Sequence, residues 1–251
     1  MSSFAIALIV LGCFFGGAIL GLLIRRALPE HHLSPESKET VKLGTGLIAT
    51  MGALVLGLMV GSAKGSYDTQ KGEVTAMSAK IILLDRALAH FGPEATPVRE
   101  ELKTMTGRLL DVLWPDAREP SSPGSAPSAS KEQIYDMILA LTPKTDAQRS
   151  IQSQALTAAV DIAQTRWLLY QQAGSSIPPL FLVLLVFWFT TIFFSIGLFA
   201  PVNLTVIACL VLCAVSVATA LLVILELDHP FAGLIQIPND TVRSAMAQLG
   251  R

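Results

Sequence analysis

The sequence predicts an all-α fold: a four-helix transmembrane protein with a helical extramembrane domain between spans 2 and 3. Three observations carry that expectation. The 251 residues are 52% apolar and only 15% charged, with a mean hydropathy of +0.56, far from the balance of a soluble domain. Four uncharged apolar runs are each long enough to cross roughly 30 Å of hydrocarbon at 1.5 Å rise per helical residue. Between the second and third runs, apolar residues recur at alternating steps of three and four with charges between them, the spacing of helices that pack on one another in water. The expected divisions are residues 1–63 for spans 1 and 2, 64–176 for the extramembrane domain, 177–225 for spans 3 and 4, and 226–251 for a polar tail.

The first span is Phe4 to Ile24, closed by Arg25 and Arg26. It lacks the basic start, short apolar core and small-residue cleavage pattern of a signal peptide, so it is expected to stay in the mature chain. Gly12 with Gly16, and Gly17 with Gly21, have the small-xxx-small spacing that lets helix backbones approach in lipid, and the expected partner is the second span. A polar connection from Arg25 to Val41 follows, with Pro29 and Pro35 as breakers and the pair His31, His32 in a solvated turn.

The second span lies between Lys42 and Lys64, about 33 Å apart along a helix. It holds no ionisable group, and Gly46, Thr50, Ala53, Gly57 and Gly61 share one face of small residues. Such a face either packs against another helix or lines a narrow opening. With no proline after Lys42, the helix can run on into the segment where Val74, Met77, Ile81, Leu84, Leu88 and Phe91 form a seam. Lys71, Glu73, Lys80, Asp85 and Arg86 are its expected wet face.

Thr96 and Pro97 announce a helix start, Thr as cap and Pro at the first helical position, and the seam continues through Val98, Leu102, Met105, Leu109 and Val112. Glu119 to Ser130, rich in Pro, Gly and Ser, reads as the most mobile loop. Ser130 with Gln133 and Thr145 with Gln148 resemble capping boxes of two further helices, the second carrying Ile151, Ala155, Ala158, Ile162 and Leu169. Gly174, Ser175 and Ser176 end that pattern. Pro178 and Pro179 open a third span to Phe199, and Pro201 opens a fourth to Leu225, so the two form a hairpin of helices. A helix-like end from Asp240 to Gln248 closes the tail.

Several function classes fall away. A net charge of -1 gives no basic footprint for nucleic acid. No hydrolase elbow, phosphate loop, metal quartet or dinucleotide fingerprint occurs, so neither an enzyme nor a resident cofactor is expected. Cys13, Cys209 and Cys213 lie in apolar runs, where thiols act as small hydrophobes. The spans carry none of the acids or histidines of a proton-coupled transporter. A passive pore survives: repeated about a symmetry axis, Lys42 and Lys64 would form basic rings, which favour anions. Flanking lysines that only reach the headgroups are the bland alternative.

Three patches resemble the bestrophin-like family of bacterial membrane proteins: LGTGLIATMGALVLGLMVGSAKGSYDTQ, EVTAMSAKIILLDRAL and LELDHPFAGLIQI. The resemblance implies a homo-oligomer, a pentamer on the pattern of the related bestrophin anion channels, in a cell (inner) membrane, with small anions and membrane lipid as its other partners. It implies that the second helix lines the pore. Position by position it singles out Tyr67 and Asp68 at the membrane exit, Glu73, Asp85 and Arg86 on the first domain helix, and Asp228, Pro230 and Phe231 after the last span, as structural or gating residues. Glu226 joins them, or else Glu226 and Asp228 simply mark where the fourth helix leaves lipid. One departure is visible: the second span offers Leu, Met and Val where bestrophins carry aromatic gate residues. Sidedness stays open, since Arg25 and Arg26 argue for a cytoplasmic short loop while bestrophins hold the helical domain in the cytoplasm. The expected function is a homo-oligomeric, anion-permeable channel; the alternative is a non-conducting membrane-anchored helical scaffold or sensor.

Overall fold

A computed structural model describes residues 2–29, 34–114, 130–172, 177–201 and 203–250. His31, His32, the Glu119–Ser130 loop up to residue 129, and the Gly174–Ser176 break lie outside them. The fold is all-α: among the described residues there are eight α-helices, one 3-10 turn and no strand. Four helices are long and apolar enough to cross a bilayer. The chain divides into a unit of Met1–Ser66 with Ser175–His229 and a unit of Tyr67–Gly174 with Pro230–Arg251.

In the first unit, α1 (Ser3–Ala27) is capped by Ser2, whose Oγ accepts from the Ala5 N–H. It packs along α6 (Pro179–Phe199) and, less extensively, α7 (Leu204–Leu227), rather than along the second span. The reason is reciprocal: glycines on both helices let the backbones touch. A Cβ at Gly17 would lie 2.8 Å from the Thr190 carbonyl oxygen, one at Gly21 would collide with the Phe194 carbonyl, and one at Gly197 with the Ala18 carbonyl. The contacts climb in step, so α1 and α6 are parallel, and the Arg25 guanidinium ends the register by donating to the Ala200 carbonyl. Phe14, fully buried, stacks on Phe193 at 5.2 Å and meets Phe189 edge-on. Gly12 and Gly16 touch nothing within 4 Å.

Pro35 does not break the connection before the second span; it starts the helix. Its missing N–H falls where none is needed, and Ser34 Oγ accepts from the Ser37 N–H. From there α2 (Pro35–Phe91) runs 57 residues, about 86 Å at helical rise, without interruption at Gly65 or Gly72. Near the same end of the unit as Pro35, α7 begins at Leu204 rather than Pro201, because Asn203 Oδ1 accepts from the Val206 N–H and fixes the first turn.

The second unit is a helical domain. Val74, Met77, Ile81, Leu84, Leu88 and Phe91 of α2 are all buried, as are Val98, Leu102, Met105 and Leu109 of α3 (Thr96–Leu113). Between α2 and α3, Gly92 takes φ 126 and ψ -176, a region open essentially only to glycine, and a 3-10 turn at Pro93–Ala95 follows. Thr96 is therefore already helical, and Ala95 occupies the cap position without a side-chain bond. The core is completed by Ile134 and Ile138 of α4 (Ser130–Leu139), Ala155, Ile162 and Leu169 of α5 (Asp146–Gln172), and Val242 of α8 (Asp240–Gln248).

Half of the Thr145 capping box forms: Gln148 N–H donates to Thr145 Oγ1, while Gln148 Oε1 accepts from the Lys144 N–H. Gln148 Nε2 then satisfies the Phe91 carbonyl at 2.8 Å. One turn on, Gln152 Nε2 donates to the Ile138 and Leu141 carbonyls, both at 2.8 Å, closing the end of α4. Replacing Gln152 by Ala leaves the Leu141 carbonyl without this donor, while the Ile138 carbonyl keeps the Leu141 N–H, and is expected to cost about 1–3 kcal/mol. Faster hydrogen exchange in α4 than in α3 would report it.

Candidate functional site

The candidate pathway is one face of α2. Lys42, Gly46, Thr50, Ala53, Gly57, Gly61 and Lys64 are all exposed in the single chain, and the three glycines meet no atom within 4 Å. The face α2 turns inward is a different one, holding Gly52, Met59 and Ala63, with the Phe189 ring 3.4 Å from where a Gly52 Cβ would sit. At 3.6 residues per turn the two faces lie roughly 120° apart. Leu47, Leu54 and Leu58, large and exposed, occupy a third direction. The small face is thus neither the packing seam within the chain nor the bulky aliphatic stripe. At its Lys42 end, Lys38, Lys42, Thr45 and Gly46 share a cavity of about 540 Å³ with Ser195 and Phe199.

The singled-out domain residues do not form one cluster. Tyr67 OH donates to the Gln236 carbonyl. Asp68 and Arg86 are exposed. Glu73 Oε1 accepts from Gln172 Nε2 at 3.2 Å, and its buried Oε2 has no hydrogen-bond partner among the described residues. The expected wet-face role of Asp85 is corrected: it is 1% exposed. Arg99 of α3 reaches it twice, Nε to Oδ1 at 2.8 Å and Nη2 to Oδ2 at 2.9 Å, and the Gly250 N–H adds a third, longer bond at 3.4 Å. Donating these hydrogen bonds to the Asp85 carboxylate raises the Arg99 pKa above its ordinary value.

At the end of α7, Glu226 and Asp228 are 6% and 4% exposed, whereas acids that only mark an exit from lipid would face water. His229 Nδ1 lies 3.1 Å from the Leu225 carbonyl oxygen. Past that point the chain is no loose polar tail. The Pro230 carbonyl accepts from the Ile237 N–H, Phe231 packs edge-on to Trp114 at 5.4 Å, and Trp114 Nε1 donates to the Ile237 carbonyl at 2.8 Å. The 230–250 segment is sewn into the helical domain by backbone hydrogen bonds and by the side chains of Phe231, Val242 and Leu249.

Two arginines escaped the sequence reading. Arg99 sits among exposed positions of α3 and has no signal except a carboxylate fourteen residues earlier. Arg166 had one: it stands four residues after Ile162 and three before Leu169, a seam position of α5, and it is buried.

An all-α chain with four helices long and apolar enough to cross a bilayer, and a helical domain between the second and third, is a membrane protein. The family model of the bestrophin-like domain matches residues 12–242, nearly the whole chain. The chain belongs to the bestrophin-like family. No curated protein and no solved structure matches it.

Proposed function

We propose that the chain is the subunit of a homo-oligomeric, anion-permeable channel of the cell (inner) membrane, pentameric like the bestrophins, in which the small face of α2 lines the pathway. The observation that carries this reading is the exposed line from Lys42 through Gly46, Thr50, Ala53, Gly57 and Gly61 to Lys64, whose three glycines have open space where a Cβ would sit. A small-residue stripe left open by its own chain calls for another copy or for water, and helices gathered about an axis supply both. Basic rings at the two mouths draw anions, and the uncharged stretch between them holds no group that would bind an anion too tightly to leave.

Halide flux through liposomes holding the purified chain tests it. Lys42→Glu and Lys64→Glu are expected to lower chloride flux by about tenfold or to shift preference toward cations, since reversing a ring changes the sign of the mouth. Gly57→Leu is expected to abolish flux while leaving the fold intact, because nothing in the chain occupies that space. Flux no greater than in empty liposomes, from folded oligomeric protein across applied voltages, calcium levels and pH, would favour a non-conducting scaffold instead.

A further inference from the structure

Arg166 lies within the helical domain and takes no part in the exposed α2 face. It is 9% exposed, between Ile162 and Leu169 on the inward face of α5, yet no hydrogen bond or ion pair holds it among the described residues. Other arginines of the domain are answered: Arg99 by Asp85, Arg149 by Asp146. Arginine is almost never this buried unless paired, and since none of the Arg166 nitrogens is wholly enclosed without a partner, the guanidinium opens onto the space beside it. Burial lowers the Arg166 pKa from its ordinary value, but guanidinium remains charged in proteins. The charge is therefore present and waiting for an acceptor.

What Arg166 faces is a cavity of about 230 Å³ whose walls are mostly apolar. Leu84, Leu102, Met105 and Ile162 form the buried floor, and Tyr135 and Trp167, both partly exposed, stand at the rim. Among the described residues, no acidic side chain lines it. Arg166 also borders a smaller adjoining cavity whose lining includes Arg108, and that second guanidinium is already answered by Glu101 at 3.9 Å. An apolar chamber with one convergent charge is the usual form of a small-molecule site, and this volume falls below the ~300–1,000 Å³ of drug-sized pockets.

We propose that this cavity binds a short amphipathic monocarboxylate, alkyl or aryl, with the carboxylate on the Arg166 guanidinium and the apolar body against Leu84, Leu102, Met105 and Ile162. The head group follows from the charge: guanidinium and carboxylate match in a planar two-bond fork. The body follows from the walls, which an inorganic anion would leave unfilled. A dianion would bring a second charge into a chamber that offers it no counter-charge of its own.

The test is saturation binding of radiolabelled octanoate to the full-length chain in nanodiscs, with empty nanodiscs subtracted. One saturable site per chain is expected. Arg166→Gln should weaken it by about tenfold or more, the effect of losing a charge-assisted hydrogen bond. Octanol and inorganic phosphate, each having half of the required chemistry, should compete poorly. Ala163→Leu, which keeps the charge but fills part of the cavity, should shift preference toward shorter acids. Absence of a saturable site, equal binding by a folded Arg166→Gln variant, or octanol competing as well as octanoate would each overturn the proposal.

Discussion

Replacing Asp85 by Ala is expected to destabilise the helical domain by about 3–5 kcal/mol, the cost of leaving a buried charge without its partner. The carboxylate receives two hydrogen bonds from Arg99, at 2.8 and 2.9 Å, and a longer one from the Gly250 N–H, and it is almost wholly withdrawn from water. Removing it strands Arg99, whose side chain is only 19% exposed. It also loosens the end of the chain after α8. Hydrogen exchange of the α2 and α3 amides reads the effect on this domain without requiring the membrane helices to unfold. Replacing both partners, Asp85→Leu with Arg99→Met, is expected to recover most of the loss, because apolar groups of similar volume can replace a buried pair. If Asp85→Ala costs less than about 1 kcal/mol, the pair behaves as an exposed one and the assignment fails.

Gly197→Leu is expected to separate α1 from α6. Even a Cβ there would collide with the Ala18 backbone, and backbone cannot swing aside as a flexible side-chain tip can. An alanine alone should cost about 1–3 kcal/mol in overpacking, and leucine more. Gly12→Ala and Gly16→Ala are the control: nothing lies within 4 Å of either. Those changes should be neutral or stabilise the helix by up to about 1 kcal/mol, since alanine is the better helix former. Unfolding in mixed micelles with increasing sodium dodecyl sulfate separates the two outcomes. If Gly12→Ala proved as costly as Gly197→Ala, the packing of α1 on α6 would be wrong.

These two cases show where sequence reasoning reached and where it stopped. The four spans and the seam from Val74 to Phe91 were legible because each follows from local periodicity and from the thickness of a bilayer. The family was legible in three patches of sequence, and the bestrophin-like domain spans the region they mark. Periodicity, however, finds a seam without naming its partner. Gly12 with Gly16 and Gly17 with Gly21 have the same spacing, yet only the second pair meets a helix, and that helix is α6 rather than α2. The carboxylate of Asp85 reads as solvated on a wheel, and becomes buried only because α3 folds back and delivers Arg99.

The sequence by itself determined that this is an all-α membrane protein of four bilayer-length helices with a helical domain, since apolar length and helical period are properties of a segment alone. The tertiary structure decided which faces pair: α1 on α6, the residues after Pro230 stitched into the domain, and Arg166 turned into an apolar cavity. Those depend on contacts between residues far apart in the chain. No window of sequence contains both partners, and the energy of a buried charge or a touching backbone is set only when both have arrived.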